Sequence, residues 1–213
     1  MKEKELINII LAIILLSLII SMDRLLNFDF FYLGTGLLFA FIIISIYVSS
    51  RKLMASWLDA SVEHHLWKIR RYGFAPKRHF KRPFQASIIP LVVSIITAGF
   101  LKPMTLLMFE TSALKRRAAK RHGYYSYTEM TDFHTALIGA SGIVSVLILS
   151  LISYWIPALE ELARMSAFFA LWNLIPISKL DGSQIYFGSR VIWTALSIIA
   201  LSFATFAILM GII

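Results

Sequence analysis

No cysteine occurs among the 213 residues. Disulfide staples, thiolate metal sites and cysteine nucleophiles are therefore excluded. Charge is also scarce: charged residues are 15% of the chain, against roughly 25% in a soluble domain. Acidic charge is scarcer still, with 12 Asp and Glu against 21 Lys and Arg. There is no phosphate-binding glycine loop, no serine–histidine nucleophile pattern and no internal repeat.

What the chain has instead is apolar bulk. Hydrophobic residues are 58% of it, against roughly 45–50% in a soluble domain. A soluble core of this size cannot absorb that much apolar surface, so lipid is part of the solvent. In such a chain the net charge of +9 points first to loops held against anionic lipid headgroups. Bases and aromatics mix from Arg70 to Phe84, which next to a span reads as an interfacial belt rather than a nucleic-acid surface.

The uncharged runs are Leu6–Met22, Phe30–Ser50, Pro83–Leu101, Ala136–Leu159, Met165–Ser178 and Val191–Ile213. The first follows Lys2 and Lys4 but has no small-residue cleavage site after it, so it reads as a retained anchor. Residues 53–68 have the apolar spacing of a helix continuing from the second span. Two basic runs flank the third segment. One extends from Arg51 to Arg82, including Lys77, Arg78, Lys81 and Arg82. The other begins at Lys115, Arg116 and Arg117 and ends at Arg121. Both runs share the cytoplasmic side only if Phe84–Glu110 dips into the membrane and returns. The expectation is thus an all-α integral membrane protein, one domain over residues 1–213, with five full spans and a re-entrant element. Six plain spans is the alternative.

The segment Asn173-Leu-Ile-Pro-Ile-Ser-Lys-Leu-Asp-Gly182 breaks a membrane helix with Asn173, Pro176 and Gly182. Asp181 then places a carboxylate at the end of a span, where ionisable groups face cavities. A plain helix end, stopped by Pro176 and turned at Asp181-Gly182, also fits. This segment resembles the second signature of the site-2 proteases, the intramembrane zinc metalloproteases. The resemblance covers roughly residue 43 to the C-terminus as a site-2-protease-like core. Residues 1–42 hold the anchor and the start of the second span. It implies that Asp181 is the third zinc ligand and that Asn173, Pro176 and Gly182 lie on the substrate path. It also implies an archaeal-like prokaryotic cell membrane.

The family's first signature is His-Glu-x-x-His on an earlier span, where two His four apart bind zinc and the Glu activates a metal-bound water. Tyr72-Gly73 is similar to a pair that follows this signature, and counting back from it gives Ser61, Val62, Glu63, His64 and His65. His65 keeps the second His; Ser61 and Val62 replace the first His and the Glu. Asp59, Glu63, His64 and His65 remain as a polar cluster, with a solvated helix face as the bland alternative. A third family element, a Gly-Pro with a later Asn, is reduced to Gly139, Ala140 and Ile143. His79, His122 and His134 show no ligand spacing and read as loop residues.

The expected function is a site-2-protease-like membrane protein without catalytic activity. It would bind a transmembrane helix or serve as a subunit of a membrane complex, and zinc is not expected to be retained. Two alternatives stand beside it. One is an active zinc metalloprotease with a rearranged site, Glu63 acting as base and His64, His65 and Asp181 as metal ligands. The other is a basic membrane tether for an anionic partner.

Overall fold

In a bilayer every backbone polar group must pair within the protein, so long uncharged runs fold as helices. The computed structural model describes residues 3–71, 79–115 and 130–210, and it is mostly helical. Helix α1 spans Glu3–Ile20, a single turn α2 spans Met22–Leu25, and α3 spans Phe31–Trp57. Strands β1 (Ala60–Leu66), β2 (Lys68–Arg71) and β3 (His79–Gln85) follow, then α4 (Ile89–Ile96) and β4 (Leu107–Ala113). The remaining helices are α5 (Asp132–Tyr154), α6 (Glu160–Asn173), α7 (Asp181–Gly188) and α8 (Arg190–Met210).

Three helices, Phe31–Trp57, Asp132–Tyr154 and Arg190–Leu209, are long and apolar enough to cross a membrane. Their outward faces carry large apolar side chains in the open, among them Phe41, Ile148 and Ile198. A soluble protein does not expose such continuous apolar surface, whereas lipid does not penalise it. Helix α1 packs antiparallel to α3. Gly36 of α3 lies against Ser17 and Ser21, and the Ser21 hydroxyl donates to the Tyr32 carbonyl (3.1 Å).

The helix expected over residues 53–68 is corrected. Helix α3 ends at Trp57, and Asp59 takes a left-handed conformation (φ 49°), which a short polar side chain tolerates. Residues 60–66 then form a strand paired antiparallel with β4, from Ala60 opposite Ala113 to Leu66 opposite Leu107. Alternate residues Ala60, Val62, His64 and Leu66 are buried. The period is two, and the partner that selects it lies more than forty residues downstream, beyond the reach of local spacing. The structure therefore adds two small sheets, β1–β4 and β2–β3, to the all-helical expectation.

Between β3 and β4 the chain makes an excursion that closes on itself. Gln85 pairs with Lys68, and the Trp67 amide donates to the Leu106 carbonyl (2.9 Å), so both feet stand beside the β1–β2 junction. Helix α4 has eight residues and is about 12 Å long, too short to cross. Its far end turns through Ala98 and Gly99, both left-handed, with Gly99 pressed on the Asp23 backbone. Lys102 donates to the Ile20 carbonyl (3.0 Å) and pairs with Asp23 (3.2 Å), at the end of α1 opposite Glu5. The described flanks of both basic runs therefore lie at one end of the bundle. Lys77, Arg78, Arg116, Arg117 and Tyr72-Gly73 fall outside the described residues.

Gly182 sits so close to the Leu174–Ile175 backbone that a Cβ there meets main-chain atoms. Gly182→Ala is expected to lower stability by about 2–3 kcal/mol, because the backbone on both sides must shift. Gly34→Ala, with nothing within 4 Å of the new methyl, is expected to be neutral or stabilising by up to about 1 kcal/mol. Thermal unfolding of the two variants in one detergent checks the contrast.

Candidate functional site

Asp181 opens α7 and is fully buried. Water does not reach its carboxylate, so protein groups must compensate the charge. Two residues of α3 do this. The Tyr47 hydroxyl and the Arg51 Nη2 both donate to Asp181 Oδ2, and Arg51 Nη2 also donates to the Tyr47 oxygen (2.6 Å). Tyr47 and Arg51 are four apart, which puts them one above the other on one helical face. Both are wholly buried.

Aromatic rings sandwich the guanidinium. Its carbon lies 3.8 Å from the Tyr47 ring centre and 4.5 Å from that of Phe109 on β4. Phe169 of α6 meets the Tyr47 ring edge-on at 4.9 Å. Gly142 of α5 leaves room for the arginine stem, since a Cβ there meets Arg51 Nε inside contact distance. Arg51 Nε and Nη1 and Asp181 Oδ1 are buried without a protein partner.

A second ion pair, with its acidic partner buried, lies on another side of α3. Lys52, the residue after Arg51, pairs with Glu5 of α1 (2.8 Å). The same Glu5 oxygen meets His64 Nδ1 at 3.0 Å and accepts weakly from the His64 amide at 3.4 Å. Burial, with the Arg51 charge nearby, pushes His64 down to about 4 from its ordinary value near 6.5. The ring is therefore neutral at pH 7 and its Nδ1–H donates to Glu5. His64 Nε2 is buried and has no protein partner.

The residues singled out in the sequence are dispersed. His64 is on the buried face of β1, while Ser61, Glu63 and His65 are on the half-buried face. Positions 61 and 65 are about 13 Å apart along a strand, far beyond the helical spacing that brings two ligands onto one metal. Ser61 Oγ shares a hydrogen bond with Ser112 (2.8 Å), Val62 is buried, and Glu63 stands opposite Glu110. Asn173 ends α6 and braces the excursion: its Nδ2 donates to the carbonyls of Phe169 (2.8 Å) and Met104 (3.3 Å). Pro176 lies in the exposed loop before Asp181. Lys115 is exposed, and Lys81 and Arg82 lie on β3.

This donor set does not suit zinc. A guanidinium has no lone pair to give and brings a permanent positive charge to the oxygen that a metal would need. No three His, Cys, Asp or Glu side chains converge among the described residues. Tyr47 and Arg51 were absent from the sequence candidates. The available signal was an i, i+4 polar pair closing a span. Comparison of the chain with protein-family models, curated proteins and solved structures returns no match.

Removing one partner of the buried pair strands the other charge. Arg51→Met or Asp181→Leu alone is expected to cost about 3–5 kcal/mol, and the two together to recover most of it. Denaturant unfolding of the three variants tests this non-additivity. His64 generates a pH effect of definite sign. Its folded value lies below the unfolded one, so its contribution is complete above pH 6.5 and is lost as pH falls toward 4. A melting-temperature series from pH 7.5 to 4 is expected to fall in that window, less steeply in His64→Gln. Glu5, Lys52 and Arg51 are the charged groups facing the ring.

Proposed function

We propose that this chain is a site-2-protease-like membrane protein whose catalytic zinc site has been replaced by an internal ion pair. One observation carries the reading: two residues four apart on a membrane helix, Tyr47 and Arg51, both bind Asp181 of the Leu-Asp-Gly segment. In the resembled family two histidines at that spacing and the aspartate hold zinc. On this reading Tyr47 and Arg51 occupy the two histidine positions, and Val48 follows Tyr47 where the family's Glu would stand. Valine accepts no proton, and Arg51 already neutralises the carboxylate. The motif register at Ser61–His65 gives way to Tyr47–Arg51.

Such a protein keeps the helical framework and uses it to hold a transmembrane helix, alone or as a subunit of a membrane complex. In this reading α1, α3, α5, α6 and α8 are the five spans, and residues 84–110 are the re-entrant element. The end bearing β1–β4 and the flanks of the basic runs faces the cytoplasm. The short α6, about 21 Å by its 14 residues, stops at Asn173 so that Asp181 lies beneath the headgroup level.

Rebuilding the metal site tests the assignment. The triple variant Tyr47→His, Val48→Glu, Arg51→His is expected to gain one zinc per chain, lost again on adding Asp181→Ala, while the parent protein carries none above background. Metal analysis of detergent-purified protein reads this out. Stoichiometric zinc in the parent, with cleavage of a membrane peptide abolished by Asp181→Ala, would sink the proposal.

A further inference from the structure

The end of the bundle remote from Asp181 holds a second site. Helix α5 begins beside Gly188 and runs about 33 Å to Tyr154. There a cavity of about 340 Å³ opens between α5, α6 and α8, lined by Leu151, Tyr154, Glu160, Arg164, Phe203 and Phe206 among others. Two serines in its wall are already satisfied, Ser150 by the Ala163 carbonyl and Ser202 by the Ile198 carbonyl. Apart from the Tyr154 hydroxyl, Glu160 and Arg164 are therefore the polar groups that the wall still offers.

Those two charges are four apart on α6, the spacing of a helical ion pair, yet neither side chain makes an ion pair or hydrogen bond among the described residues. Arg164 Nε is buried without a partner. On the five-span reading proposed above, on which this inference rests, Arg164 lies one turn inside the membrane, where its charge calls for an anion. At that depth the bilayer supplies lipid phosphate, which matches a guanidinium geometrically. A cavity of about 340 Å³ between three helices admits an acyl chain.

We propose that this cavity seats one phospholipid with an ethanolamine headgroup. Its acyl chain lies along Leu151, Phe203 and Phe206, its phosphate bonds Arg164, and its ammonium meets Glu160. The carboxylate selects the headgroup: it binds a charged ammonium beyond the phosphate more strongly than the neutral hydroxyls of a glycerol headgroup.

Native mass spectrometry of the full chain in detergent tests this. The probes are palmitoyl-oleoyl phosphatidylethanolamine, the matching phosphatidylglycerol, and diacylglycerol with the same chains. One phosphatidylethanolamine per chain is expected, with diacylglycerol weaker by about tenfold or more, the loss of one charge-assisted contact. Arg164→Gln is expected to produce the same loss, and Glu160→Gln to abolish the preference for ethanolamine over glycerol. Ala207→Trp, which fills the groove from α8 without touching either charge, is expected to exclude every lipid. Equal binding of diacylglycerol, occupancy unchanged in Arg164→Gln, or displacement by millimolar inorganic phosphate would each overturn the proposal. Thermal unfolding of each variant identifies loss of fold, and in that event Ala207→Trp and the diacylglycerol comparison decide. Zinc plays no part in these readouts, so they fail or succeed independently of the metal-site assignment.

Discussion

A carboxylate removed from water must be neutralised where it stands, and at Asp181 the neutralising group comes from α3. The Arg51–Asp181 pair constrains much of what surrounds it. Phe109 reaches over the guanidinium from β4, so the strand must lie against the helices. Gly142 gives α5 the close approach that the arginine stem requires. Gly182, packed beneath the Leu174–Ile175 backbone, holds the start of α7 at the depth where the carboxylate meets α3. An isolated buried pair of this kind contributes little net stability, because desolvation offsets the attraction. Any misplaced element would leave one of the two charges buried without its partner.

Arg51 and Lys52 are neighbours in sequence but point about 100° apart around α3. The first holds Asp181 and the second holds Glu5 of α1. One turn of one helix thus fastens elements on two of its sides, and Glu5 extends the second link to β1 through His64. The excursion between β3 and β4 is fastened separately, at its tip by Lys102 on Ile20 and Asp23, and near its returning foot by Asn173 on Met104. The described polar tethers are concentrated at helix ends and segment junctions, while the apolar flanks are left to lipid.

The proposed loss of metal chemistry follows from the same pair. A zinc ion and a guanidinium compete for one carboxylate, and the guanidinium is covalently present in every copy of the protein. Replacing a metal ligand by a permanent cation retains the local charge balance that the helix packing needs. Substitution by a neutral residue would leave Asp181 with the Tyr47 hydroxyl but no counter-charge. The proposed pseudoprotease therefore needs no rearrangement of the surrounding helices to be stable without metal.

Much of the framework was legible from residue order. Apolar runs of helical length located α3, α5 and α8. Asn173 to Gly182 identified the segment that buries Asp181. Hydropathy and local turn chemistry suffice for these features because lipid and backbone geometry act on each segment independently. What covers Asp181 could not be read in this way. Tyr47 and Arg51 look like an interfacial tyrosine and the first residue of a basic loop until α7 is folded against α3. Strand β1 likewise shows a helical spacing until β4 selects the period of two. Composition and hydropathy settled the solvent and the segments; long-range packing settled the partners, because a buried charge is satisfied by whichever residue tertiary structure brings to it.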